Sequence, residues 1–103
     1  MILYEVNLSI SLDIFDDYLT WLEKHIKIML RFSGFKKAIL LKDIRTVQSE
    51  NGHITVQYLV DNIESLNNYL DNHSQQMRDD GLRRFQGKFS ASRKVFEISK
   101  EFL

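Results

Sequence analysis

The apolar residues of the first thirty positions change period once, and that change constrains the fold more than any other feature of the chain. From Met1 to Ile10 they alternate strictly: Ile2, Tyr4, Val6, Leu8 and Ile10 fall on one face, and Leu3, Glu5, Asn7 and Ser9 on the other. A period of two is that of a strand, and one wholly apolar face predicts a central strand with a dry side. Ser11-Leu12-Asp13 offers capping side chains, and from Ile14 the apolar positions take helical spacing, at Phe15, Tyr18, Leu19, Leu22, Ile26 and Met29. Trp21 and His25 lie on the adjoining edge of that stripe. The helix is expected to end near Arg31, with Gly34 supplying a left-handed turn.

Phe35 to about Ser49 reads as a long second strand, and Glu50-Asn51-Gly52-His53 as a hairpin, because Asn-Gly suits a two-residue type I′ turn. That turn would set Val47 opposite Val56, Arg45 opposite Tyr58 and Ile44 opposite Leu59. One hairpin face then carries Ile39, Leu41, Val47, Ile54, Val56, Tyr58 and Val60, and the other Leu40, Ile44 and Leu59 among Thr46, Thr55 and Gln57. Apolar residues turned away from the helices mark a contact surface, and a homodimer is the expectation drawn from Leu40, Ile44 and Leu59.

Asp61 caps a second helix with Glu64 reaching back three residues later. Its stripe is Ile63, Leu66, Leu70, His73 and Met77, with Gly81 as its end and Leu82 to Phe85 as a short irregular or single-turn element. The last strand, Lys88 to Ile98, alternates poorly and predicts a bulge or an edge position. Strand, helix, strand, strand, helix, strand, joined by right-handed crossovers, is an α+β fold of the split βαβ, ferredoxin-like kind (βαββαβ): a four-stranded antiparallel sheet with two helices on one face. Residues 1–103 are read as one domain.

Composition removes several function classes. The chain contains no cysteine and no proline, which excludes disulfides, thiolate metal sites and cysteine nucleophiles, and makes the cytoplasm the expected compartment. No apolar run approaches the roughly 20 residues of a membrane span. Fourteen basic residues balance fourteen acidic ones, so no global field draws in nucleic acid. The third strand, His53 to Val60, also lacks the basic-glycine-aromatic pattern of an RNA-recognition sheet. Between Arg78 and Lys100, however, seven basic residues face three acidic ones.

Two histidines carry the candidate chemistry. His25 and His73 fall twelve and eleven positions into their helices, counted from Asp13 and Asn62, roughly 17–18 Å along each axis, so both are expected at one level of a cleft between helices and sheet. Each is a candidate acid or base, although a histidine on an apolar stripe is more often a structural residue bonded to backbone. Trp21, Tyr58, Met77, Arg78 and Arg93 complete the expected lining, which suits a small anionic or aromatic molecule. No carboxylate shares the histidine stripe, so neither a metal nor another cofactor is expected. Serines lack a nucleophile-elbow context, and no glycine-rich phosphate cradle occurs. The competing reading is a non-catalytic interaction dimer whose output surface is Arg83, Arg84 and Lys88.

Trp21-Leu-Glu-Lys-His25-Ile26, Ser33-Gly34-Phe35, Val56-Gln57-Tyr58, His73, Met77-Arg78, Arg84-Phe85, Lys88-Phe89 and Arg93 together resemble a family of small bacterial proteins grouped as a domain of unknown function. The resemblance runs over nearly the whole chain. That family looks similar to the dimeric α+β barrel superfamily, which includes cofactor-free antibiotic-biosynthesis monooxygenases, muconolactone isomerases and haem-binding enzymes. The resemblance implies two subunits paired sheet to sheet, with a pocket between each sheet and its helices. It does not decide an activity, because one fold hosts many.

Overall fold

The computed structural model describes residues 1–44 and 51–103. Its elements are β1 (Ile2–Ser11), a 3-10 turn (Leu12–Ile14), α1 (Phe15–Met29), β2 (Phe35–Lys42), β3 (Asn51–Val60), α2 (Ile63–Asn72), α3 (Ser74–Arg84) and β4 (Phe89–Glu97). β1 lies between β3, paired from Ile2↔Val60 to Ser11↔Asn51, and β4, paired from Ile2↔Glu97 to Ile10↔Phe89. β2 pairs with β3, and the sheet order is β2-β3-β1-β4, every pair antiparallel. This is the α+β, ferredoxin-like split βαβ arrangement that the order of periodicities predicts.

Alternation along the two central strands builds the core. Ile2, Tyr4, Leu8 and Ile10 of β1 and Ile54, Val56, Tyr58 and Val60 of β3 are buried beneath Tyr18, Leu22 and Met29 of α1 and Leu66 and Tyr69 of α2. Each such side chain contributes about 1.5–3 kcal/mol on burial, which holds both helical arms on one face. Val6 is the exception on the dry side of β1: it is half-buried, and the space above it is described below. Gly34, at φ +86°, makes the turn between α1 and β2 in a region that only glycine enters without strain.

The hairpin expected at Asn51-Gly52 is not formed. Both residues belong to β3 and pair with Ser11 and Ile10 of β1. A side chain at Gly52 would run into the ring of Phe15, so this glycine serves close packing under α1. The β2–β3 register differs accordingly. Val56 faces Leu40, Tyr58 faces Ala38 and Leu59 faces Lys37, in place of Val47, Arg45 and Ile44, and a shift lies between Phe35 and Lys37. Leu40 therefore shares the helix side with Val56, Ile39 and Leu41 turn to the other side, and Ile44 lies beyond β2. The expected extension of β2 through Arg45 to Ser49 falls outside the described residues.

The second helical arm also departs from expectation. Asn62, not Asp61, caps α2, its Oδ1 accepting from Ser65 N at 2.9 Å. Asp61 pairs instead with Lys36 at 3.3 Å. The helix breaks at His73 (φ −130°, ψ −25°) and resumes as α3. Ser74 Oγ donates to Leu70 O at 2.7 Å, a side-chain bond to the carbonyl four residues back of the kind that bends helices. α3 runs through Gly81 to Arg84, so Gly81 does not stop the helix, and Leu82 to Arg84 are its last turn, capped at Phe85, not a separate element. β4 is an edge strand, in unbroken register with β1.

The helix-free side of the sheet carries a polar ladder. Gln57 Nε2 donates to Glu5 Oε1 at 3.1 Å and Asn7 Nδ2 to Glu5 Oε2 at 3.2 Å, while Thr55 Oγ1 donates to Asn7 Oδ1 at 2.7 Å. These bonds hold the Glu5 carboxyl below its usual range, Gln57 contributing most and Asn7 next. Around the ladder lie half-buried Leu3 and Leu59 and exposed Ile39, Leu41 and Phe96.

Candidate functional site

α1 and α3 do not close fully over the sheet, and a cavity of about 260 Å³ remains between them. Its floor is Tyr4, Val6 and Leu8 of β1 with Val56 and Tyr58 of β3, which explains why Val6 escapes full burial. Trp21, His25 and Met29 of α1, Tyr69 of α2, Met77, Arg78 and Gly81 of α3, and Phe89 and Arg93 of β4 make up much of the wall. The exposed members of the lining, Leu82, Ser90 and Arg93, put the opening between α3 and β4.

All four tyrosines of the chain line this space. Tyr4 stacks on Tyr58 with ring centroids 6.0 Å apart and meets Tyr69 at 6.3 Å. Tyr18 packs against Trp21 at 5.4 Å and against Phe85 and Phe89 at 5.0 Å. Burial raises the pKa of the Tyr18 and Tyr58 hydroxyls. Burial, aided by Tyr4, pushes Tyr69 up to about 12. These hydroxyls therefore remain protonated donors at neutral pH.

Trp21 ties the two helical arms together. Its Nε1 donates to Asp80 Oδ2 at 2.7 Å, and that bond is the main reason the Asp80 carboxyl lies below its ordinary range, with Arg84 Nε at 3.3 Å adding to it. Trp21 comes close to α3 because Gly81 has no side chain. A Cβ there would stand 2.8 Å from the indole ring. His25 stacks on Trp21 at 4.7 Å, the planes inclined by 25°. Burial lowers the pKa of His25 below 6.5; Asp80 opposes that shift and Arg93 adds to it. The imidazole is consequently neutral at physiological pH and able to accept a proton.

Arg78 enters from α3. Its Nη2 donates to Tyr4 Oη at 3.3 Å, and its Nε is buried without a hydrogen-bond partner. Of the residues singled out from sequence, Trp21, His25, Tyr58, Met77, Arg78 and Arg93 all line the cavity. His73 does not. It occupies the α2–α3 junction, half-buried against Phe32 at 4.7 Å, so the expected meeting of His25 and His73 does not occur. The break at Ser74 turns the stripe, and a continuous helix was the premise of that expectation. Arg83 and Arg84 pair with Asp80 at 3.8 and 3.3 Å, and Lys88 pairs with Asp13. Tyr4, Tyr18, Tyr69, Phe89 and Asp80 were not singled out as site residues. Tyr4 carried a usable signal, being a large polar aromatic on the dry face of a central strand. Among the described residues no group of three histidine, cysteine or acidic side chains is placed to hold a metal ion, and no helix is long and apolar enough to cross a membrane.

The family described as a domain of unknown function, DUF4286, matches residues 1–99. The chain belongs to the DUF4286 family. Among curated proteins no sequence matches this DUF4286 chain. Solved structures give its fold. A Deinococcus radiodurans protein assigned to the antibiotic biosynthesis monooxygenases superposes with a TM-score of 0.75 at 17% identity, over 100% of this chain and 97% of that one. A dimeric ferredoxin-like protein from an uncultured marine organism gives 0.72 at 14% identity, over 100% and 99%. SnoaB, a cofactor-independent oxygenase from Streptomyces nogalater, gives 0.67 at 14% identity, over 97% and 95%. DUF4286 is thus an unknown-function family with the fold of antibiotic biosynthesis monooxygenase-like and dimeric ferredoxin-like proteins.

Proposed function

We propose that this DUF4286 protein is a homodimer that holds a small organic molecule in the cavity between helices and sheet and acts on it as a relative of the cofactor-independent oxygenases. The observation that carries the reading is the cavity itself, in which a neutral imidazole, aromatic walls and two guanidinium groups converge. His25 is the proton acceptor in this reading, and Trp21, held by Asp80, positions it. Removal of a proton is a first step open to isomerisation and to oxygenation without a cofactor alike. His73, outside the lining, keeps the α2–α3 junction in place.

The dimer is supported by the apolar residues on the helix-free side, Leu3, Ile39, Leu41, Leu59 and Phe96, and by the dimeric neighbour of the same fold. The alternative of a basic output surface has no comparable support, since Arg83, Arg84 and Lys88 each face a carboxylate of the same chain. Native mass spectrometry of protein purified gently from its own host tests the proposal. The expected result is a dimer carrying additional small-molecule mass that is lost when Ala91, a β4 residue of the cavity lining, is replaced by the cavity-filling Ala91→Trp. A bare monomer over several preparations would overturn it.

A further inference from the structure

Among the described residues the cavity lining holds two cations and no anion: Arg78 and Arg93 line it, and no aspartate or glutamate does. Among the described residues neither guanidinium stands within ion-pair distance of an acid. Arg93 sits at the opening, where water solvates it. Arg78 is different, because its Nε–H is shielded from solvent and donates to nothing. A buried donor left unsatisfied is destabilising, more so on a charged group, and native structures rarely leave one without a reason. The Tyr4 hydroxyl occupies only Nη2.

We infer that the cavity's ligand is an aromatic carboxylate, its carboxylate accepting from Arg78 and its ring lying among Tyr58, Tyr69, Tyr18 and Trp21. This rests on the reading of the cavity as a ligand site. A carboxylate matches the planar guanidinium with two acceptors side by side, and it supplies the missing negative charge as well as the missing acceptor. Arg93 adds to the positive field at the opening, where an incoming anion arrives. The rest of the wall selects a ring: tyrosine and tryptophan faces offer stacked and edge contacts that a flexible alkyl chain does not use. Size agrees, since a dry cavity of about 150 Å³ takes a benzene ring, and 260 Å³ leaves room for a second fused ring with its acid group. Trp21 and His25, the proton acceptor of the proposed reaction, line the same cavity as Arg78.

Isothermal titration calorimetry with 2-naphthoate, 2-naphthamide and octanoate separates the parts of this inference. 2-Naphthoate is expected to bind wild type at least tenfold more tightly than either of the others. Arg78→Met is expected to weaken 2-naphthoate far more than 2-naphthamide, so that acid and amide bind the variant alike. Equal binding of acid and amide to wild type would overturn the carboxylate and leave the cavity reading standing. Tighter binding of octanoate would overturn the ring. If none of the three binds at millimolar concentration, the cavity reading falls with it. The wild-type comparison of acid and amide decides the matter even if Arg78→Met fails to fold.

Discussion

At the scale of single residues, the site is organised by contacts of one side chain, Trp21. Its indole N–H is accepted by Asp80, its ring fits over Gly81, and His25 stacks on it. Burial of His25 makes a pH prediction with a definite sign. Because the folded-state pKa lies below 6.5, only the unfolded chain binds the proton in the interval between the two values. The contribution of His25 is therefore fully present above about pH 6.5 and is lost as pH falls through the folded pKa. Urea unfolding at pH 7.5 and pH 5 should show a smaller acid loss in His25→Gln than in wild type. An equal loss in both would assign the acid sensitivity to other groups. His73→Gln is a companion case: the ring packs on Phe32 outside the cavity, so the variant should lower the melting temperature without altering binding of a cavity ligand. A change in affinity with unchanged stability would contradict this placement.

At the scale of elements, the chain was legible wherever periodicity had one interpretation. β1 alternates over ten residues with a partner on each side, and α1 keeps its stripe from Phe15 to Met29, so both follow from side-chain spacing alone. The Asn51-Gly52 dipeptide misled because a local turn preference competes with pairing along the whole of β1, and pairing won: Gly52 is needed small under Phe15. The second arm misled in the opposite direction. Its apolar spacing is consistent with one helix, and nothing in that spacing reports the bond from Ser74 to Leu70 that turns it. Gly81 shows the same limit, since a glycine near a helix end reads as a stop, whereas α3 needs it to admit Trp21. Gly81→Ala isolates this point. Alanine favours a helix interior by about 1 kcal/mol over glycine, yet a Cβ 2.8 Å from the indole overpacks a well-filled contact at about 1–3 kcal/mol. Net destabilisation is the expected outcome in urea unfolding, and a gain in stability would show that Trp21 moves freely.

At the scale of the whole molecule, the two sides of the sheet differ in chemistry. One is covered by helices around aromatic rings and a cavity, and the other presents the Glu5–Gln57–Asn7–Thr55 ladder ringed by apolar residues. The sequence suggested a dimer surface from Leu40, Ile44 and Leu59, but the observed register retains only Leu59 on that side. Sedimentation of two variants distinguishes the surfaces. Leu59→Asp should yield folded monomers, while Ile44→Asp should leave the proposed dimer intact, because Ile44 is 85% exposed and lies off the strand. Dissociation by Ile44→Asp alone would reverse this assignment. The cavity residues were partly legible: Trp21, His25, Met77 and Arg78 followed from their places along the two helices, whereas Tyr18 and Tyr69 looked like ordinary core.

The chain has a single tryptophan, and its indole lies in the cavity wall against an imidazole. The protein thus contains its own optical probe at the place of interest. Protonated imidazole quenches a stacked indole more strongly than the neutral ring does, so the emission of Trp21 against pH traces the ionisation of His25 without any label. An occupant of the cavity will change the same signal by packing against the indole, so proton uptake and ligand entry can be followed in one cuvette.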